Sequence, residues 1–239
     1  MNLSKIIVCL AFLFLNFKKS YAQVGFNIGI GYGVGVHTKT DGLSYIIKRY
    51  NDTRPYLSKQ MKEPKFFRGY NLSSEVYFSK GLANFEFVKR ISDVTARVDS
   101  LNQGRDFRYK VNSFNFGLAY KLSKNKDNGI GKYLGFDFSM ITVRCYTRKY
   151  DLDKDAPRYK SSNSIGFDLS FAFTPYWQYT GNRFTTKIYF QPMLIAPDFW
   201  EVNQTLNPNT WSKDDLMDLI GKTSSLGICV RYNLIRNKK

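Results

Sequence analysis

The chain carries a single histidine in 239 residues. His37 is followed at short range by Asp41 and Ser44, and a histidine within reach of an acid and a hydroxyl can activate a nucleophile or a water. The same position suits a plain polar residue at the end of a strand, and that reading is adopted. Asp151, Asp153 and Asp155 have the alternate-residue spacing of a calcium loop. They lack the glycine and the distal glutamate such a loop requires, and Lys154 sits among them, so a solvated loop is expected instead. No Cys/His cluster, phosphate-binding loop or nucleophile elbow is found. No catalytic residue, metal or cofactor is therefore expected.

The charge balance is strongly basic, with 36 Lys and Arg against 19 Asp and Glu, a net +17. Residues 1–22 read as a cleaved secretory leader. Lys5 precedes the apolar run Ile6 to Leu15, and Ser20-Tyr21-Ala22 forms a small-residue cleavage site. That run is about ten residues, far short of the ~20 needed for a spanning helix, and no later segment reaches that length. Cys9 lies inside the run, away from where a lipidated cysteine would stand. Loss of Lys5, Lys18 and Lys19, with no acid among residues 1–22, leaves +14 on residues 23–239, which read as one domain. An exported chain does not meet nucleic acid, so lipopolysaccharide and the anionic head groups of a lipid bilayer are the expected partners. Cys145 and Cys229 are expected at a barrel rim and inside the barrel respectively, too far apart to bridge.

The elements come from period-two patterning. Between Gly25 and His37, Phe26, Ile28, Ile30, Tyr32, Val34 and Val36 alternate with small or polar residues, which predicts a strand with one apolar face. Alternation returns around Leu72–Phe78, Phe85–Phe87, Asn112–Leu122, Leu134–Met140, Ile165–Phe173, Phe184–Gln191 and Ser225–Leu234. Short connections at Ser79-Lys80-Gly81, Thr180-Gly181-Asn182 and Ser123 to Gly131, the last with an Asn128-Gly129 turn signal, take turns with long ones at 39–66, 92–106, 144–162 and 197–223. Helices are expected at Leu43–Arg49 and Asp214–Ile220. The predicted fold is an all-β, antiparallel up-and-down transmembrane barrel of eight strands, or ten if 92–110 hides a hairpin.

A soluble barrel shows the same period with its apolar face inward. The second face decides between them: it holds Gly, Ser, Asn, Ala and isolated charges, a poor coat for a soluble protein but a suitable filling for a narrow lumen. The lumen charges are expected to be Glu75, Glu86, Asp137 and Asp168 against Lys121, Lys187 and Arg231, bracing one another in a filled tube. Gly29, Gly31, Gly33 and Gly35 form a small-residue row on the same face. Most of the basic surplus falls in the long connections, as at Lys48, Arg49, Arg54, Arg144 and Arg148. Aromatic residues make up 17% of the chain, enough for interfacial girdles, with Tyr32, Tyr70, Tyr120, Tyr133, Tyr146, Tyr176, Trp177, Tyr179 and Trp200 as candidates.

With Ser20-Tyr21-Ala22-Gln23 followed by the glycine-alternating strand Val24 to Val36, and a last alternating strand Leu226 to Leu234, the chain resembles small outer-membrane barrels of the OmpA and OmpX kind. It resembles more closely the Bacteroidetes β-barrel family that includes PorT-like proteins. The tail Ile235 to Lys239 departs from the aromatic ending such barrels favour. The resemblance implies fold and outer-membrane location and carries over no functional residue. The expected function is a non-enzymatic surface-binding or structural protein with long basic extracellular loops. The PorT resemblance implies a second possibility, a subunit of a secretion or transport assembly docking protein partners through apolar loop residues such as Ile46, Ile47, Leu216, Leu219 and Ile220; helices folded back on the barrel mouth are the plainer reading of those residues and the one adopted. A soluble periplasmic ligand-binding barrel is a third.

Overall fold

A computed structural model describes residues 25–123, 129–151, 163–195, 197–208 and 223–237, with backbone alone for 163–167 and 236–237. The expected leader, the helix over Asp214–Ile220, and Asp153 and Asp155 lie outside the described residues. Eight strands follow one another: β1 Gly25–Thr40, β2 Phe66–Phe78, β3 Gly81–Val98, β4 Gln103–Lys121, β5 Gly131–Asp151, β6 Asn163–Thr180, β7 Phe184–Pro192 and β8 Thr223–Asn237. Each pairs antiparallel with the next, and β8 returns to β1, closing the barrel. Closure removes the free sheet edge from the barrel proper, while the extensions of β3 past Ile91 and of β6 before Tyr176 are laddered along one side.

The apolar face points outward. Ile30, Phe116, Leu134 and Leu72 are each at least half exposed, while Glu75, Asp137, Lys187 and Arg231 inside are between 0 and 2% exposed. A soluble barrel with its apolar face inward is therefore not what this sequence folds into. Tyr32, Tyr70, Tyr120 and Tyr179 stand outside as expected of girdle residues. Tyr133 and Tyr176 do not. Their parity puts them inside, where Tyr77, Leu82, Tyr133 and Tyr176 plug the end of the lumen nearest the short turns. Trp200 packs on a helix at the other end.

The loop expected at 92–106 is mostly strand, and so are residues 144–151 of the loop expected at 144–162. β3 continues to Val98 and β4 begins at Gln103, joined by the 3-10 turn Asp99–Leu101 with Asn102 at φ 50°, a left-handed position asparagine tolerates. β5 likewise runs to Asp151. These extensions lengthen existing strands, so the count stays at eight. Their alternation has the opposite sense to the rest of the barrel. Ala96, Phe107, Tyr109, Val111, Ile141, Val143 and Cys145 face inward and are buried, while Arg97 and Arg144 point out and are exposed. On β4 the switch falls between Val111, apolar and inward, and Phe114, apolar and outward.

The inward apolar face of the extensions is covered by two helices. α1, Asp41–Asp52, buries Leu43, Ile46, Ile47 and Tyr50, which recur at the spacing of one helical face. Asp41 in its first turn and Arg49 in its last complement the helix dipole. The side-chain amide of Asn51 donates to the Met61 carbonyl at 2.9 Å and accepts from the Met61 N–H at 3.0 Å, and so folds the returning chain against the helix. α2, Trp200–Leu206, was not anticipated. It contributes Val202 and Leu206, with Phe199 beside them, to the same cluster. Asn207 donates to the Ile46 carbonyl at 3.2 Å and Arg54 to the Leu206 carbonyl at 2.9 Å, tying the helices together. Ile46 and Ile47, docking residues only under the secretion-assembly reading, are thus buried in a helix folded back on the barrel mouth, the arrangement favoured from the sequence.

Candidate functional site: a charged lumen beneath an apolar cap

Strand parity brings five of the seven expected lumen charges to one place. Lys187 on β7 donates to Asp137 on β5 at 2.6 Å and to Glu86 on β3 at 2.9 Å. Arg231 on β8 donates to Glu75 on β2 at 2.5 Å and approaches Glu86 at 3.7 Å. Ion pairs this deep are tolerable when the remaining lone pairs are also met. Glu75 accepts from Gln178 at 2.9 Å, from Asn27 at 3.1 Å and from the Tyr77 hydroxyl. Glu86 accepts from Asn71 at 2.5 Å and Asn115 at 3.3 Å. Gln178 also accepts from Arg231 at 2.9 Å.

The other two expected charges stand apart. Lys121 is buried at the end of β4 beside the short turns, where its backbone N–H donates to the Lys80 carbonyl. Asp168 is at the opposite end, only partly buried, and accepts from the backbone N–H groups of Leu169 and Asp198 at 2.7 and 2.6 Å, orienting the chain that enters α2. A cation not foreseen joins the lumen instead. Arg90 donates to Gln191 at 2.9 Å and lies 4.4 Å from the Tyr189 ring centroid and 5.2 Å from that of Phe67. Three carboxylates, Glu75, Glu86 and Asp137, thus share the lumen with three cations, Arg90, Lys187 and Arg231. Arg90 was legible in principle, because parity carried on from Glu86 through Val88 places it on the same inward face.

The glycine row lets these long side chains fit. A methyl group on Gly31 would lie 2.5 Å from Arg231 Cγ and 2.6 Å from Asn71 Oδ1. At Gly29 and Gly33 the nearest atoms would be 3.2 and 3.1 Å away, so these two positions are tight but less so. A gap of about 10 Å³ lies among the charges, room for roughly one water. The lumen is filled.

His37 lies below the cap, 8% exposed, between the rings of Phe67 at 5.0 Å and Tyr109 at 5.3 Å. The two residues considered with it are engaged elsewhere: Asp41 with Lys39 at 3.2 Å and Ser44 with Thr40 at 3.0 Å. Nothing in that geometry prepares a nucleophile. Among the described residues no three His, Cys, Asp or Glu side chains converge as a metal site. Cys145 and Cys229 are both buried and free.

On the outer wall, basic residues begin where the apolar exterior stops. Arg68, Lys110 and Arg144 share one ladder row with Ile91, and the row toward the barrel's middle holds Tyr70, Lys89, Asn112 and Thr142. The following row is apolar, with Leu72, Phe87, Phe114 and Met140. Lys89 sits 5.2 Å from the Tyr70 ring, and Arg108 holds Asp93 through two bonds of 2.7 and 3.1 Å. Beyond them Asp106 is buried on β4. Burial pushes its carboxyl up to about 6, with Asp93 adding to the rise and Arg148, 3.9 Å away, and Arg108 opposing it.

No family model and no curated protein matches this sequence. Similar solved structures include the following two. Ail, the attachment invasion locus protein of Yersinia pestis, crystallised with the heparin analogue sucrose octasulfate, is 14% identical, with 89% of this chain and 99% of that chain covered and a TM-score of 0.49. Neisserial surface protein A is 8% identical, with 87% and 97% covered and a TM-score of 0.36.

Proposed function

We propose that this chain is an integral outer-membrane barrel that works as a structural or surface-binding protein, neither an enzyme nor an open pore. The observation that carries the reading is the inversion of the apolar pattern along β3, β4 and β5. One stretch is apolar outside and polar inside, as a strand crossing lipid must be; the next is polar outside and apolar inside, as a water-soluble layer must be. The border between them is where the bilayer surface would lie. The capped end then faces the cell exterior and the short turns the periplasm. Arg68, Lys89, Lys110 and Arg144 would meet lipopolysaccharide phosphates at that border, where cations are favoured by the anionic surface.

A role in a secretion assembly finds less support. The residues named for docking, Ile46 and Ile47, are used to close the mouth, and Leu216, Leu219 and Ile220 lie outside the described residues.

The test is to fractionate cells making the protein and run the membrane fraction on a denaturing gel with and without boiling. Recovery in the outer membrane with a heat-dependent mobility shift is expected. Recovery in the soluble periplasm, with no shift, would overturn the proposal.

A further inference from the structure

The tip of the cap carries a second feature that the barrel does not need. Between the end of α1, the tip of the β3–β4 hairpin and the end of β5 lies a cleft of about 250 Å³. Among the described residues its lining includes Arg54, Arg97, Arg105 and Lys149 and no acidic residue, together with Tyr50, Tyr56 and Leu57.

The cations are held in place. Arg54 donates to the carbonyls of Tyr50 at 3.1 Å and Leu206 at 2.9 Å and lies 4.1 Å from the Tyr50 ring centroid. Arg105 lies 5.8 Å from the same ring, and its Nε is buried without a hydrogen-bond partner. Burial, foremost, and the nearby Arg54 lower the pKa of Arg105; Tyr50, which hydrogen-bonds it, opposes them, and no carboxylate contributes. Two guanidinium groups on one ring, with a third and a lysine at the same cleft, cost free energy that an anionic ligand would recover.

We propose that this cleft binds a small organic oxyanion of the size and chemistry of a monosaccharide phosphate, its charged group among Arg97, Arg105 and Lys149 and its carbon ring against Tyr56 and Leu57. The volume is below the roughly 300–1,000 Å³ typical of larger organic ligands, which suits one sugar unit. Such a group could arrive on a soluble molecule or as part of neighbouring lipopolysaccharide. The inference rests on the cap alone, so it stands or falls separately from the membrane assignment.

The test is titration calorimetry on the whole barrel in a zwitterionic detergent at low salt, with glucose 6-phosphate, glucose and inorganic phosphate as probes. Saturable binding of glucose 6-phosphate is expected, with none of glucose and at least tenfold weaker binding of inorganic phosphate. Arg105→Ala and Lys149→Ala should each weaken glucose 6-phosphate binding at least tenfold, and Lys132→Ala, at the far end of the barrel, by less than twofold. Lys149 is exposed and its truncation leaves the fold intact; the unboiled gel mobility checks this for every variant. No binding of glucose 6-phosphate, or equal binding by Lys149→Ala and wild type, would overturn the proposal. Inorganic phosphate binding as tightly as glucose 6-phosphate would overturn the assignment to an organic ligand. Repeating the titration with purified lipopolysaccharide added separates the sources. Competition assigns the group to the membrane and undiminished binding to a soluble molecule, and the site stands under both.

Discussion

At the residue scale, the lumen cluster behaves as a network in which each member covers another's charge. Removing one partner leaves a buried charge uncompensated, at a cost of about 3–5 kcal/mol, whereas replacing both is far milder. Arg231→Met should therefore lower the temperature at which the folded gel band disappears, and Glu75→Gln in the same chain should restore part of the loss. An additive loss in the double variant would show that the two residues do not act as a pair. Asp106 makes a pH prediction of definite sign. Its folded-state value of about 6 lies above that of an unfolded carboxyl, so between about pH 4 and pH 6 the folded form keeps a proton that the unfolded chain has released. The hairpin tip should thus lose stability as pH rises through that window. Asp106→Asn should remove the dependence and make the tip several-fold slower to proteolyse at pH 8; equal cleavage of variant and wild type at pH 8 would count against it.

At the scale of elements, the cap and the barrel are held by different physics. The barrel is a closed ladder of backbone hydrogen bonds, while the cap depends on burying Leu43, Ile46, Ile47 and Tyr50 against the strand extensions. An aspartate in place of the fully buried Ile46 would have no partner for its charge, a penalty of several kcal/mol that local unfolding of the cap relieves. Ile46→Asp is expected to expose the Lys48 and Arg49 bonds to trypsin while the barrel still shows its heat-dependent mobility. Loss of both together would mean that cap and barrel fold as one unit.

For the whole molecule, three layers block the axis: the tyrosine plug near the short turns, the ion-paired middle and the apolar cap. Among the described residues, the gaps in the middle and in the layer around His37 are about 10 Å³ each, room for roughly one water apiece. Planar bilayers containing the purified protein should show no steady conductance, and uniform single-channel steps would contradict a filled lumen. Function is then left to the surfaces the barrel displays.

Period-two alternation by itself left open whether 92–110 held two strands more, but it marked eight strand cores in up-and-down order and the face of the residues within them, because side-chain direction in a strand depends only on parity. That is why Glu75, Glu86, Asp137, Lys187 and Arg231 could be grouped before any coordinates. Parity carries no information on height along the barrel, so Lys121 and Asp168, correct in face, were grouped with charges that lie at other levels. The strand extensions were taken for loops because the apolar residues change face at Val111 and Phe114, and a search for one constant greasy face ends where that change begins. α2 has too short a pattern to register. Only the folded chain decided what meets what: that α1 and α2 close the mouth, that Arg90 completes the lumen's charge balance, and that Arg54, Arg97, Arg105 and Lys149, scattered over nearly a hundred residues, line one cleft. Those contacts join segments distant in sequence, and packing alone selects them.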